Sequence, residues 1–268
     1  MKAPPGPLHV ESHGAGRPIL LIHGLGATLY TWRYVVPMLA RRHRVITVDL
    51  KGSGRALKPA DGHYSVHDQA GYVGDLIRDW ALTDLTLVGH SFGGGVALAA
   101  VVASALPPGR IGRLVLIDSM AYRQTFPWFI TFLRTPILAP LALALAPKPW
   151  QVRLVLRSGY HRPSRITDDA VAAYAATLYS ADGRRALIET AKAIPPDDAD
   201  ALAEKYARIA LPTLILWGRH DAIIPLPIGE RLHRAIGTSQ LVVIDDAGHL
   251  PHEETPDLVC EALGRFLG

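Results

Sequence analysis

Six short runs, Ile19–Ile22, Arg44–Val48, Leu85–Val88, Leu114–Ile117, Thr213–Trp217 and Leu241–Ile244, recur along the chain with helix-like patterns between them. They are apolar almost throughout and do not alternate with polar residues. Strands read this way when helices cover both faces of a parallel sheet. This order of elements predicts an α/β fold, a three-layer sandwich around a mostly parallel central sheet. Leu8–Glu11 is a weaker candidate for an edge strand. Tyr30–Arg42 reads as a helix with Trp32, Val35, Val36 and Leu39 on one side. Ser65, with Asp68 three residues on, forms a capping-box signature for a helix running to Leu82. Thr255-Pro256 reads as an N-cap followed by proline at the first helical position.

The alternation fails once. Between Ile117 and Thr213 lie 95 residues, far more than an ordinary crossover. Residues 121–197 are therefore expected to be a helical lid, inserted into a core made of residues 1–120 and 198–268. With 49% hydrophobic residues in a 268-residue chain, a large core is available. The 19% charged share argues against a disordered chain or a coiled coil. Cys260 is the single cysteine, which excludes an intramolecular disulfide; in the last helical pattern it reads as a small buried apolar residue. The net charge is +4, but the basic residues are scattered. Their densest cluster, Arg41 to Arg44, falls at a predicted helix end, so nucleic acid is not an expected partner. The greasy stretch Phe126–Pro147 is interrupted by Arg134, Pro136 and Pro140 and is too broken to span a bilayer. The first 18 residues hold four prolines and no apolar run. A cytoplasmic protein with no membrane partner is expected.

The sharpest local feature is Gly89-His90-Ser91-Phe92-Gly93, between the run Leu85–Val88 and an Ala- and Val-rich helix expected over Gly94–Leu106. G-x-S-x-G in a strand–turn–helix context is a nucleophile elbow. The turn strains the serine backbone, and side chains two positions either way would collide, so glycine stands there. Ser91 is then exposed as a nucleophile, with the Phe92 N–H aimed at a developing oxyanion. His90, its neighbour on the tight turn, is not expected to be the base.

The chain resembles the α/β-hydrolase superfamily from about Gly14 to Gly268. Its motifs appear in order: Leu21-Ile22-His23-Gly24, Asp49-Leu50-Lys51-Gly52-Ser53-Gly54, the elbow, and the surroundings of Asp221 and His249. It is most similar to the branch of lidded esterases, cofactor-free haloperoxidases and C–C bond hydrolases. Ala56 stands where that branch often has serine. The serine nucleophile separates the chain from the aspartate-using haloalkane dehalogenases and epoxide hydrolases of the fold.

A serine needs a base within hydrogen-bond reach. The resemblance implies His249, in Asp246-Ala247-Gly248-His249-Leu250-Pro251, on a loop after the last strand where Gly248 permits a tight turn. His252 is the competitor. The acid is expected between serine and histidine in chain order. Asp221, after Thr213–Trp217, fits best; Asp118, at the end of Leu114–Ile117, is the alternative. Asp245 and Asp246 read as loop residues. The resemblance also implies the Leu25 N–H as second oxyanion donor and His23 as an anchor of that loop. Asp49 is expected to organise the glycine turn Gly52-Ser53-Gly54.

No CxxC, HExxH or Walker pattern occurs, so neither metal nor cofactor is expected. Phe126, Trp128, Phe129, Phe132, Leu133, Ile137 and Leu138 are expected mostly to pack on the core, with part of Phe126–Leu145 roofing an apolar pocket. The resulting expectation is a serine esterase acting on small apolar esters. Short or medium acyl chains are preferred because no exposed membrane-binding stretch is evident in the sequence. C–C bond hydrolysis, perhydrolysis, and lactone or amide cleavage use the same triad and stay open, as does a hydrolase-like ligand sensor.

Overall fold

The computed structural model describes residues 6–103 and 106–268. Seven strands, β1 (His9–His13), β2 (Arg17–Ile22), β3 (His43–Asp49), β4 (Leu85–His90), β5 (Ile111–Ile117), β6 (Thr213–Gly218) and β7 (Ser239–Ile244), form one sheet. Its order is β1-β3-β2-β4-β5-β6-β7. Only β1 is antiparallel, pairing His9 with Asp49 and His13 with Val45 at the sheet edge. All six expected runs are strands, and the edge candidate is β1, displaced slightly toward His13.

Side chains alternate between the two faces, as the pleat requires. Leu20, Ile22, Leu87 and Leu116 face a core built with α2 (Val66–Asp79), α3 (Phe92–Ala103) and, further along the sheet, α10 (Leu226–Ala235). Ile19, Leu21, Val88 and Val115 face the opposite core, built with α1 (Val35–Leu39) and α12 (Pro256–Leu267). Cys260 is buried in that second core, where burial pushes its thiol up to about 11.

The capping box of α2 is complete. Ser65 Oγ accepts from the Asp68 N–H, and Asp68 Oδ2 accepts from the Ser65 N–H. Four helical expectations shift. α2 ends at Asp79, short of the expected Leu82, and Ala81 beyond it has φ +52°. Tyr30–Arg42 is broken into a 3₁₀ turn, Leu29–Trp32, and the short α1, because Thr28 caps the turn and Pro37 disfavours a longer helix. The elbow helix starts two residues early, at Phe92, and Leu106 is not helical; residues 104–105 of its expected course lie outside the described residues. Thr255 precedes Pro256 as expected, but its hydroxyl donates to the Pro251 carbonyl and does not cap α12.

Between β5 and β6 run α4 (Trp128–Leu133), α5 (Leu138–Leu145), α6 (Lys148–Gly159), α7 (Asp168–Ala175), α8 (Ala181–Lys192) and α9 (Ala199–Glu204). They have small cores of their own. Val152, Leu156, Val171 and Tyr174 form one, with Leu250 from the core loop; Leu133, Ala139, Leu143 and Ile188 form another. This helical segment covers the ends of the strands where the elbow sits.

Candidate active site

β4 ends directly in Ser91, whose φ is +52°, and α3 begins at the next residue. The tight turn brings the backbones on either side too close for a side chain, so glycine is required at 89 and 93. A Cβ on Gly89 would lie 2.3 Å from the Gly93 carbonyl oxygen, and one on Gly93 would lie 2.4 Å from that of Ile22. The Ser91 carbonyl accepts from the N–H groups of Gly94 and Met120, both at 2.9 Å, and its own N–H donates to Ile117 at 3.0 Å. The strained residue is therefore tied to both neighbouring elements.

His249 follows β7. Its Nδ1 lies 2.7 Å from Asp221 Oδ2, and its Nε2 lies 2.9 Å from Ser91 Oγ. A carboxylate can only accept, so Nδ1 carries the proton and Nε2 faces the serine hydroxyl with a free lone pair. Asp221 Oδ1 accepts from the N–H groups of Ile223 and Ile224 at 2.8 and 2.9 Å, which fixes the carboxylate plane. The His249 N–H donates to the Gly159 carbonyl at 2.7 Å, tying the histidine loop to the end of α6. Gly248 serves close approach more than turning, since a Cβ there would lie 2.3 Å from the Gly159 oxygen.

Asp118, the alternative acid, ends β5 and has φ +42°. It lies in the same cluster: one ligand-type atom from each of Asp118, Asp221 and His249 falls within 4.8 Å of the others. Its carboxylate does not bond His249. Oδ1 accepts from the Gly218 N–H at 2.9 Å, while Oδ2 is buried without a hydrogen-bond partner of ordinary geometry. Full burial and then the neighbouring Asp221 carboxylate hold the Asp118 carboxyl well above the usual carboxylate range. These three side chains are also the arrangement closest to a metal site among the described residues, but His249 Nδ1 and Asp221 Oδ2 are already bonded to each other.

The other histidines sort by their partners. His23 Nδ1 donates to the Gly24 carbonyl at 2.8 Å, and Nε2 accepts from the Leu50 N–H at 3.0 Å. It anchors the loop after β2, and burial holds it below its ordinary value. Asp49 accepts from the N–H groups of Leu29 and Arg55, at 2.7 and 2.8 Å, and so joins that loop to the turn after β3. His90 Nε2 donates to the His249 carbonyl at 2.8 Å. Burial, then the His252 and His249 rings, push it well down. His252 lies tilted against the Trp32 ring and bonds Thr31 Oγ1 at 2.7 Å, away from the serine; burial lowers it to about 4.

Sequence reasoning missed the support behind this histidine cluster. The Glu253 side chain is fully buried and accepts from Thr31 Oγ1 at 2.7 Å, Arg33 at 2.8 Å, Tyr160 at 2.9 Å and Tyr174. Glu254 accepts from the Gly248 N–H at 2.7 Å and from the Arg162 N–H at 3.1 Å. Two consecutive acids at the start of the short helix α11 (Pro251–Glu254) would be read from sequence as solvated helix-dipole partners. Apart from the nearby Gly248, their donors come from residues 31–33 and 160–174, which no local pattern connects to them.

Ser91 and His249 open into a cavity of about 450 Å³. Leu25 and Phe92, whose N–H groups were expected to serve the oxyanion, line it beside the serine. Phe126, Trp128, Phe129, Phe132 and Leu133 contribute from α4 and its approach. Among the described residues, no Lys, Arg, Asp or Glu lines the cavity. The expectation that the apolar residues of this segment pack inward holds for Leu133 and in part for Phe126, Phe129 and Phe132. It fails for Trp128, Ile137 and Leu138, which are exposed.

The alpha/beta hydrolase fold family matches residues 17–256, and the chain belongs to that family as a hydrolase of the serine type. The chain is 32% identical over 246 residues to the 2-hydroxy-6-oxo-2,4-heptadienoate hydrolase of Pseudomonas putida, covering 88% of this chain and 83% of that one. An alpha/beta hydrolase fold protein from Burkholderia ambifaria superimposes with a TM-score of 0.85 at 26% identity, over 96% of this chain and 93% of that one. A thermophilic esterase from Thermogutta terrifontis does so with a TM-score of 0.79 at 27% identity, over 97% and 92%.

Proposed function

We propose that the protein hydrolyses carboxylic esters with medium-length apolar acyl groups, through an acyl-enzyme on Ser91, beneath a lid formed by residues 121–197. The observation that carries this reading is the hydrogen-bonded line Ser91–His249–Asp221 at the floor of an apolar cavity. As Ser91 Oγ attacks the ester carbonyl, its proton passes to His249 Nε2. The negative charge moves to the carbonyl oxygen, which the N–H groups of Leu25 and Phe92 receive. Asp221 stabilises the imidazolium, which then gives its proton to the departing alkoxide. Water, deprotonated by His249, attacks the acyl carbon. Ser91 leaves, regains its proton, and the acid is released.

A cavity of about 450 Å³ lies within the usual range of about 300–1,000 Å³ for small-molecule sites. C–C bond cleavage is the second reading, on the likeness to the Pseudomonas putida hydrolase. That relative's named substrate is a carboxylate. A cavity without a lining Lys or Arg offers such a substrate no counter-charge, which favours the ester.

The test is p-nitrophenol release from acetate, butyrate, octanoate and palmitate esters by wild type and Ser91→Ala. Turnover that peaks at intermediate chain length and falls about 10⁵-fold or more in the variant is expected. Activity surviving in Ser91→Ala would refute the nucleophile. A folded wild type that turns over none of the four esters would refute the ester reading.

A further inference from the structure

The helical segment over the active site presents an apolar face to solvent. Seven of the twelve exposed large apolar side chains among the described residues fall within residues 128–154. Ile137 is 74% exposed, Leu145 75% and Trp150 60%. On α5, Leu138, Leu141 and Leu145 are spaced i, i+3, i+7 and form one stripe, while Ala139 and Leu143 turn inward. On α6, Trp150 and Leu154 form a second stripe at i, i+4. Trp128, Trp150 and Leu154 are exposed and also line the cavity, so the outer face and the cavity wall are continuous.

The charges carried by this stretch of chain have one sign. From residue 119 to residue 167 the chain has seven Lys or Arg and no Asp or Glu. Arg123, Arg153, Arg162 and Arg165 are paired with carboxylates outside that stretch. Lys148 is buried, donating to the Ala144 and Ala146 carbonyls, whereas Arg134 is exposed and donates to the Ile194 carbonyl. Arg157 is exposed, has no carboxylate partner, and continues the Trp150–Leu154 face by one more helical step. No described helix is long and apolar enough to cross a membrane. Helices that carry Trp and Leu beside cations lie in the interface plane of an anionic bilayer.

We propose that the α5–α6 face docks on an anionic lipid surface and presents the cavity mouth to acyl esters dissolved in it. The docking stands on the exposed face and its charge; only the delivery of esters rests on the hydrolytic reading above. A second copy of the chain is a poorer occupant. A twofold contact through this face would set its unneutralised cations against their own copies and close the mouth between them.

The test is co-sedimentation of the full chain with vesicles of phosphatidylcholine alone, or of phosphatidylcholine and phosphatidylglycerol in equal parts. Wild type is expected to bind the anionic vesicles at least about tenfold more tightly, with the preference shrinking as salt is raised. Leu141→Asp/Leu145→Asp changes two exposed side chains outside the cavity wall. It is expected to lose binding about tenfold or more while hydrolysing a soluble acetate ester at the wild-type rate. Ser91→Ala is expected to bind as wild type does, so a failure of the hydrolytic reading leaves the docking result standing. Wild type that stays in solution with anionic vesicles would overturn the proposal. So would a Leu141→Asp/Leu145→Asp variant that binds normally, or a wild-type dimer that this variant splits.

Discussion

The floor and the roof of the cavity are built on opposite terms. On the floor, loops at the ends of β4, β6 and β7 bring Ser91, Asp221 and His249 together with hydrogen bonds of 2.7–2.9 Å. Backbones there approach so closely that Gly89, Gly93 and Gly248 admit no Cβ. The roof consists of short helices held by two small apolar clusters, and much of its greasy surface faces solvent. A rigid polar floor fixes a reaction. An apolar roof fixes what fits above it and can be altered without disturbing the chemistry.

The largest contrast should lie between the floor's two acids. Asp221→Asn is expected to lower kcat about 10⁴-fold, by leaving His249 in the wrong tautomer. Asp118→Asn should change kcat by no more than a few-fold, because Asp118 does not bond His249 and an amide oxygen can accept from the Gly218 N–H in its place. The reverse ranking, in steady-state assays of both variants, would make Asp118 the acid of the reaction.

Next in size is the floor's pH dependence. His252 is lowered from 6.5 to about 4 by burial, so between those values the unfolded chain takes up a proton that the folded chain refuses. Its contribution to stability is unpenalised above pH 6.5, is lost progressively as pH falls, and is fully lost below about 4. The full loss is about 3 kcal/mol. His252→Gln should therefore lose less Tm than wild type between pH 7 and pH 4 in thermal unfolding scans. Parallel pH profiles for the two proteins would show that the buried ring is not responsible. Asp118 acts with the opposite sign. Its raised folded value means stability declines as pH rises above 3.8, so Asp118→Asn should gain Tm most at neutral and alkaline pH.

The smallest effect should fall on the roof. Phe129→Asp places a charge in the cavity wall and is expected to lower kcat/KM for an octanoate ester about tenfold, with acetate hydrolysis little changed. Arg134→Ala should leave both esters near wild-type rates. Equal losses on acetate and octanoate in Phe129→Asp would mean that the roof also shapes the chemistry.

Local patterns in the chain determined the strands, the capping box at Ser65 and Asp68, and the elbow. Each is set by neighbours in sequence: continuous apolar runs, a three-residue reach, or glycines two positions from a serine. The resemblance implied Ser91, Asp221 and His249 in that order, and the three follow β4, β6 and β7 at the carboxyl ends of the strands. Two matters were decided only in three dimensions. Asp118 and Asp221 follow adjacent strands, and the sequence favours Asp221 while leaving Asp118 open; which one meets His249 Nδ1 depends on ångström-scale placement of side chains. The orientation of α5 was hidden for a different reason. Leu138-Ala139-Pro140-Leu141-Ala142-Leu143-Ala144-Leu145 is apolar on every side, so no periodicity shows which leucines turn inward. The preference for short or medium chains rested on the absence of an exposed apolar stretch, and the exposed leucines of α5 remove that ground. Only packing against α4 and α8 selects Leu143 for the interior and leaves Leu138, Leu141 and Leu145 facing outward.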